Sequence, residues 1–521
     1  MVLGVAVLGC GVLARRLGVA PPVLLLACGA LAGFVPALRR AHLPPEVVLL
    51  LFLPALLYWE SQSTSLQGIR SNLRVIVLQS TALVVATAAG VAVAAHALGL
   101  EWGPAWVLGA AVAPTDATAV GALGRVLPRR TLTILRAESL VNDGMALVIY
   151  AVAVAITAGQ ERFSAPYTGW LLVRSYGGGA LAGALIAWLA INLRRHLDDP
   201  LLENAAILLT PFAAFLLADV IGASGVLAVV VCGLIMTQAG PRIDHPGAHQ
   251  QGEAFWTLSA FLLNGALFVL VGLELQTAVR GLPSSALTRG LIAVGVVSAV
   301  VVGVRFTWAF TTPYVIRALD RRPQQRLRRM GARARVVSSV AGFRGAVSLA
   351  AALAVPETTA SGAPFPDRDL IIFVTAGVIV VTLVGQALLL PVVVHWARLP
   401  RDTSVEQERH LAETLATEEA LDAIPGLGTE LGTDAEIVNR LRREYEKHLR
   451  VLHAGDDGAD DELALRYDRQ YNALRLAVLE HKRATVVRLR DQRRIDDTVL
   501  RLVERHLDIE EVRLARDQEA D

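Results

Sequence analysis

Residues 135–150 read Leu135-Arg136-Ala137-Glu138-Ser139-Leu140-Val141-Asn142-Asp143-Gly144-Met145-Ala146-Leu147-Val148-Ile149-Tyr150, and the reading of this stretch decides the fold. It has the apolar flanks of a membrane-spanning helix and yet carries two carboxylates. Glu138 and Asn142 are four residues apart, as are Ser139 and Asp143, so on a helix the four polar groups form two adjacent rows on one face. An ionisable group at bilayer depth costs roughly 2.5–3.5 kcal/mol on insertion scales, so two in one segment demand a use. The competing reading, a soluble amphipathic helix with its acids in water, is opposed by the composition on both sides.

That composition is 54% hydrophobic residues with a mean hydropathy of +0.49, outside the usual soluble range. Apolar runs recur at roughly 1–15, 20–37, 45–61, 72–98, 103–124, 131–157, 167–193, 201–219, 223–239, 254–276, 286–317, 334–355 and 369–397. The expected fold is therefore an all-α polytopic membrane protein with about thirteen transmembrane helices, domain 1–398, followed by a charged helical domain, 399–521. The opening apolar run ends in Arg15-Arg16 rather than in a small-residue cleavage site, so no cleavable signal peptide is expected. Cys10, Cys28 and Cys232 lie in apolar runs without metal-ligand spacing and read as packing residues.

Arginine sets the orientation. With the N-terminus outside, the inner loops hold Arg15-Arg16, Arg70 and Arg74, Arg125 with Arg129-Arg130, Arg194-Arg195, Arg242 and the dense run 317–335, and only Arg39-Arg40 dissents. From Arg401 onward the chain carries about nine net negative charges, leaving about eleven net positive for the membrane part. Segments 434–454, 460–490 and 492–517 show apolar residues at helical spacing, broken by Gly426-Leu427-Gly428 and Gly455-Asp456-Asp457-Gly458. This cytoplasmic tail has no Gly-rich phosphate loop and no dinucleotide fingerprint, and no cofactor or nucleic-acid partner is expected.

Further segments join the opening one. Glu60 ends the third span, and Pro114-Thr115-Asp116-Ala117-Thr118 interrupts the fifth, where Pro114 leaves carbonyls near residue 110 free. Gly342-Phe343-Arg344-Gly345 interrupts the twelfth, and Arg305 sits in the eleventh. Two broken helices at corresponding places point to an inverted-repeat transporter with crossing helices and a site at the midplane. A small monovalent cation leaving water needs several oxygen ligands, and Asp143, Ser139, Asp116, Thr115 and Glu60 supply them. Burial favours the neutral form of a carboxylate and a nearby cation favours the ionised one, so one carboxylate can hold either a proton or a cation, and exchange follows. A buried arginine cannot lose its proton, so Arg344 needs a carboxylate; Glu138 is the economical candidate, and the pair is read as structural. Asn142 adds no titratable group and is expected to bridge broken-helix carbonyls. Arg305 is expected either to snorkel or to neutralise a neighbouring acid.

At Glu60, Thr115-Asp116, Glu138-Ser139 with Asn142-Asp143, and Phe343-Arg344-Gly345, the sequence resembles the NhaP-type monovalent cation:proton antiporters, bacterial relatives of the animal sodium/proton exchangers. The resemblance spans about 1–398. It implies a homodimer of thirteen-helix protomers in the cell (inner) membrane, a core domain moving against a dimerisation domain among lipids, and a part in pH and sodium homeostasis. It implies exchange of Na+, and also Li+, for H+ by alternating access, with Asp143 binding ion and proton in turn and Glu138 paired with Arg344. Asn rather than Asp at position 142 implies electroneutral exchange.

Three other readings compete. Potassium/proton exchange would use the same machinery, because the ligand types suit both ions. A channel would need a selectivity-filter loop, and none is visible. An intramembrane serine protease would use Gly222-Ala223-Ser224-Gly225, but it needs a histidine base, and His395 near the inner end of the last span is the sole histidine inside a later apolar segment.

Overall fold

The structure is a computed structural model that describes residues 2–17, 20–35, 48–116, 127–159, 165–197, 199–243, 246–281, 284–319, 331–399, 402–454 and 462–492, with 494, 499, 503, 507, 508, 510 and 511. Among them no β-strand forms, and one isolated bridge joins Thr358 to Pro364. Helix dominates because a chain this apolar must satisfy its backbone internally once it leaves water. Contacts divide the chain into two compact units, Met1–Asp402 and Thr403–Asp521.

In the first unit, α1 is Val2–Leu17 and α2 is Pro21–Ala32. A π-helical turn, Val48–Phe52, leads into α3, Leu53–Gln62. The long α4, Leu66–Ala97, contains a second π-helical stretch at Gln79–Leu83. Then come α5, Trp102–Val112, α6, Arg129–Thr157, α7, Ala165–Arg194, α8, Pro200–Val220, and α9, Gly225–Ile243. The last members are α10, Pro246–Gly281, α11, Ser284–Leu319, the short α12, Ala332–Val340, and α13, Ala346–Leu353, and finally α14, Arg368–Ala397. Seven helices, α4, α6, α7, α8, α10, α11 and α14, contain stretches long and apolar enough to cross a membrane. The other described helices of this unit are shorter, and three of them, α5, α12 and α13, belong to interrupted segments.

Those interruptions fall where the sequence places them. Helix α5 stops at Val112 and the chain runs unwound through 113–116, because Pro114 withholds a donor; Ala117 and Thr118 lie outside the described residues. Helices α12 and α13 are separated by the non-helical stretch 341–345. The two unwound strands meet, Asp116 donating its backbone N–H to the carbonyl of Phe343 at 2.8 Å. A hydrophobic core is built from α4, α5, α6, α11, α13 and α14 side chains, including Val91, Leu108, Tyr150, Val297, Ala352 and Ile371. Arg194, expected in a cytoplasmic loop, instead ends α7 as the buried partner of Glu203 on α8, at 2.5 Å.

In the second unit, α15, Ser404–Glu430, and α16, Ala435–Ala454, form a hairpin, and α17, Glu462–Asp491, follows. The Gly426-Leu427-Gly428 break expected from sequence does not occur, since α15 continues to Glu430. Gly428 lies against the side chain of Val438, and helix packing across the hairpin outweighs the low helix propensity of the glycines. The Gly455–Gly458 break and most of 492–517 lie outside the described residues.

Candidate functional site

Helix α6 brings the carboxylates in. Glu138, Ser139, Asn142 and Asp143 are all buried, at 1%, 3%, 1% and 4% exposure, so the face drawn from four-residue spacing points into protein and not into water or lipid. The five residues expected to bind the ion, Glu60, Thr115, Asp116, Ser139 and Asp143, line one cavity of about 50 Å³. They reach it from three directions: Glu60 from the end of α3, Thr115 and Asp116 from the unwound strand after α5, and Ser139 and Asp143 from α6. Apolar walls come from Leu53, Leu57 and Leu267.

Asp143 forms no ion pair and no hydrogen bond among the described residues, and the charged groups acting on it include two further acids, Asp116 and Glu60. Glu60 is within electrostatic range of Asp116 and of Arg136, a cation that sequence reasoning left unassigned. Although three carboxylates line the cavity, no group of three or more His, Cys, Asp or Glu is gathered into a metal-ligand cluster among the described residues. The arrangement is a polar chamber and not a chelate. Gly345 makes part of it possible, because a Cβ there would overlap the Asp116 carboxylate.

A second, smaller cavity of about 10 Å³ lies on the other side of Thr115, lined by Gln79, Glu138, Asn142, Arg305 and Arg344 among others. Here the expected ion pair is corrected. Glu138 is held by Arg305, not by Arg344: Nη1 donates to Oε1 at 2.6 Å and Nη2 to Oε2 at 3.2 Å. Arg305 runs against Gly342, where a Cβ would stand 2.6 Å from its Cδ and Nε, and so reaches Glu138. Arg305 therefore does not snorkel: it is 4% exposed. Arg344, 1% exposed, turns instead to carbonyls freed by the two breaks, donating from Nε to Val112 O at 3.2 Å and from Nη1 to Gly342 O at 2.5 Å. The bridging of broken-helix carbonyls that the sequence suggested for Asn142 thus belongs to Arg344.

Asn142 points elsewhere. Its Nδ2 donates to Thr115 Oγ1 at 2.6 Å, and Thr115 Oγ1 donates to Glu138 Oε1 at 3.5 Å. The Thr115 hydroxyl is engaged on the arginine side, which divides the two chambers chemically: one holds carboxylates, the other a neutralised Glu138–Arg305 pair beside a second guanidinium. Sequence reasoning missed Asn264 of α10 and Ser348 of α13, both on the acidic cavity. Their signal was available as polar side chains inside apolar runs, but a neutral residue costs too little in a membrane to stand out.

The sequence profile of the transmembrane sodium/hydrogen exchanger family matches residues 2–396. An uncharacterised Na+/H+ exchanger of Mycobacterium tuberculosis strain H37Rv is 48% identical over 506 residues, 96% of this chain and 93% of that protein. A sodium, potassium, lithium and rubidium/H+ antiporter of Bacillus subtilis strain 168 is 31% identical over 389 residues, 71% of this chain and 57% of that protein. Among solved structures, a sodium/proton antiporter of Methanocaldococcus jannaschii superposes with a TM-score of 0.58 at 20% identity, over 75% of this chain and 96% of that one, a likeness of fold.

Proposed function

This chain belongs to the sodium/hydrogen exchanger family, and we propose that it exchanges Na+, and also Li+, for H+ with one carboxylate, Asp143, serving both ions in turn. It is a multi-pass membrane cation:proton antiporter and not an enzyme. The observation that carries the assignment to Asp143 is its isolation: a buried carboxylate without hydrogen bond or ion pair among the described residues, on a cavity shared with Asp116, Glu60 and Ser139. A cation entering from either side takes its charge compensation from Asp143 and Asp116 and further oxygens from Ser139, Glu60 and the Thr115 carbonyl, the Thr115 hydroxyl being engaged elsewhere. A proton occupying Asp143 removes that compensation, so the two cargoes exclude each other and alternating access couples their flows in opposite directions.

Asn142, neutral and bound to Thr115, leaves one titratable group at this position of α6, which supports one-for-one, electroneutral exchange. Glu138, Arg305, Arg344 and Asn142 hold the crossing in place. The reading further takes domain 1–398 as about thirteen spans of a homodimer in the inner membrane, among lipids, with domain 399–521 as a cytoplasmic tail.

A second reading, with K+ as a cargo beside Na+, is favoured by the relative from Bacillus subtilis, which is named for sodium, potassium, lithium and rubidium. Proteoliposomes loaded with a pH dye and challenged with Na+, Li+ or K+ across pH separate the two. Competition requires the apparent KM for the cation to rise as pH falls, by up to about tenfold per unit where one proton is displaced. A KM independent of pH, or a current on a solid-supported membrane, contradicts the scheme.

A further inference from the structure

We propose that Ser348 is a direct oxygen ligand of the transported cation and sets its affinity; the proposal rests on the antiport reading above. Ser348 is the third residue of α13, the half-helix that follows the second break. It is 1% exposed, its Oγ has no hydrogen-bond partner among the described residues, and it lines the same cavity as Asp116 and Asp143.

Ser298, Thr375 and Thr414 also carry unpartnered hydroxyls on helices, but of these four only Ser348 lines the acidic cavity, and its unbonded state has a local cause. Buried hydroxyls on helices normally bond back to the carbonyl four residues earlier, as Thr87, Ser339 and Thr382 do here. For Ser348 that carbonyl belongs to Arg344, which lies in the non-helical stretch 341–345, so the back-bond is not made. The break therefore leaves Ser348, a residue of the cavity wall, with a buried unbonded hydroxyl, and burial of such a hydroxyl costs free energy unless another partner arrives. Charge is not what the chamber lacks, since three carboxylates already face a monovalent ion. Its neutral oxygens are few, coming from Ser139, Asn264 and the Thr115 carbonyl, because the Thr115 hydroxyl is committed to Glu138 and Asn142. A hard cation of this size fills its coordination shell with oxygen, and a hydroxyl adds a ligand without adding a proton site.

The test uses the full-length protein in proteoliposomes, unsubstituted and as Ser348→Ala and Ser348→Cys. Loss of a neutral ligand raises the apparent KM for Na+ by about tenfold in Ser348→Ala. The factor is the same at every pH where exchange is measured, because no titrating group has changed. Cysteine replaces a hard ligand by a soft one at nearly the same volume. Ser348→Cys is therefore expected to raise the KM for Na+ and Li+ while keeping that for Tl+, a soft monovalent cation, within about twofold. An unchanged Na+ KM in Ser348→Ala overturns the assignment, as does a Cys variant that loses Na+ and Tl+ equally, which would mark Ser348 as a packing residue. If Ser348→Ala does not fold, the Cys variant decides alone. An unsubstituted protein that couples no cation to proton flux refutes the antiport reading and this proposal with it, whereas normal exchange with an unmoved KM refutes only Ser348.

Discussion

Glu138 and Asp143 stand five residues apart on the same helix, equally hidden, and the molecule treats them in opposite ways. Glu138 is clamped by both terminal nitrogens of Arg305 and receives a hydrogen bond from Thr115. Asp143 faces a cavity where its charged neighbours include two more acids. The difference separates two solutions to the cost of a carboxylate away from water. A paired carboxylate is fixed charge that holds helices together, whereas an unpaired one stays poised to take whichever cation is on hand. Thr115, which lines both chambers, is the partition between them.

The sharpest way to break this contrast is Asp143→Asn, which removes the exchangeable charge and keeps the shape. Cation-driven proton flux in proteoliposomes should fall to background, with folding intact by size-exclusion chromatography. Substantial residual exchange would mean that Asp143 is not the shared site.

The paired side of the contrast is tested through stability. Glu138→Ala and Arg305→Ala each strand a buried partner and should cost about 3–5 kcal/mol. The double variant should cost far less than their sum, because neither stranded charge remains. Glu138→Ala combined with Arg344→Ala should be closer to additive, since Arg344 bonds carbonyls and not Glu138. Thermal unfolding in detergent across these variants distinguishes the two pairings, and a Glu138–Arg344 coupling larger than the Glu138–Arg305 one would overturn the assignment.

A smaller effect is expected at the crossing itself. Gly345→Ala places a Cβ on the Asp116 carboxylate without straining the backbone, which is extended there. Displacing that carboxylate should raise the apparent KM for the cation by about tenfold or more. An unchanged KM would show that Asp116 does not act from its present position.

The contrast also marks what the sequence could and could not tell. Four-residue spacing was enough to gather Glu138, Ser139, Asn142 and Asp143 on a protected face, and Pro114 and the paired glycines marked both helix breaks, because each follows from local geometry. Partner choice among the arginines did not follow. Arg305 and Arg344 are both buried guanidiniums requiring acceptors, and which one takes Glu138 depends on a path past Gly342 that exists only in three dimensions. The continuation of α15 through Gly426 and Gly428 was illegible for the same reason, being decided by a neighbouring helix. Neutral cavity residues, Asn264 and Ser348, carried too little cost to be noticed in the chain.

Ser224 offers the finest test of Asp143's isolation, because its hydroxyl, like that of Tyr176, lies beside the helix turn that carries Asp143. A Cβ on Gly144 would stand 3.5 Å from Ser224 Oγ, so this hydroxyl lies close to the helix turn that carries Asp143. One of its two lone pairs is already used: Leu227 N donates to it at 3.2 Å at the start of α9, and the Ser224 N–H donates to Ser175 O at 3.1 Å. That capping role explains the Gly-Ala-Ser-Gly run without catalysis, and no hydrogen bond joins Ser224 to a histidine among the described residues. Ser224→Ala should therefore cost about 1 kcal/mol of stability, as for a lost helix cap, and leave the KM and pH profile of exchange unmoved. A fluorophosphonate probe should fail to label the unsubstituted protein at Ser224. A shifted pH profile in Ser224→Ala would instead mean that the hydroxyl shares the proton of Asp143, and the division into one clamped and one solitary carboxylate would have to be redrawn to include it.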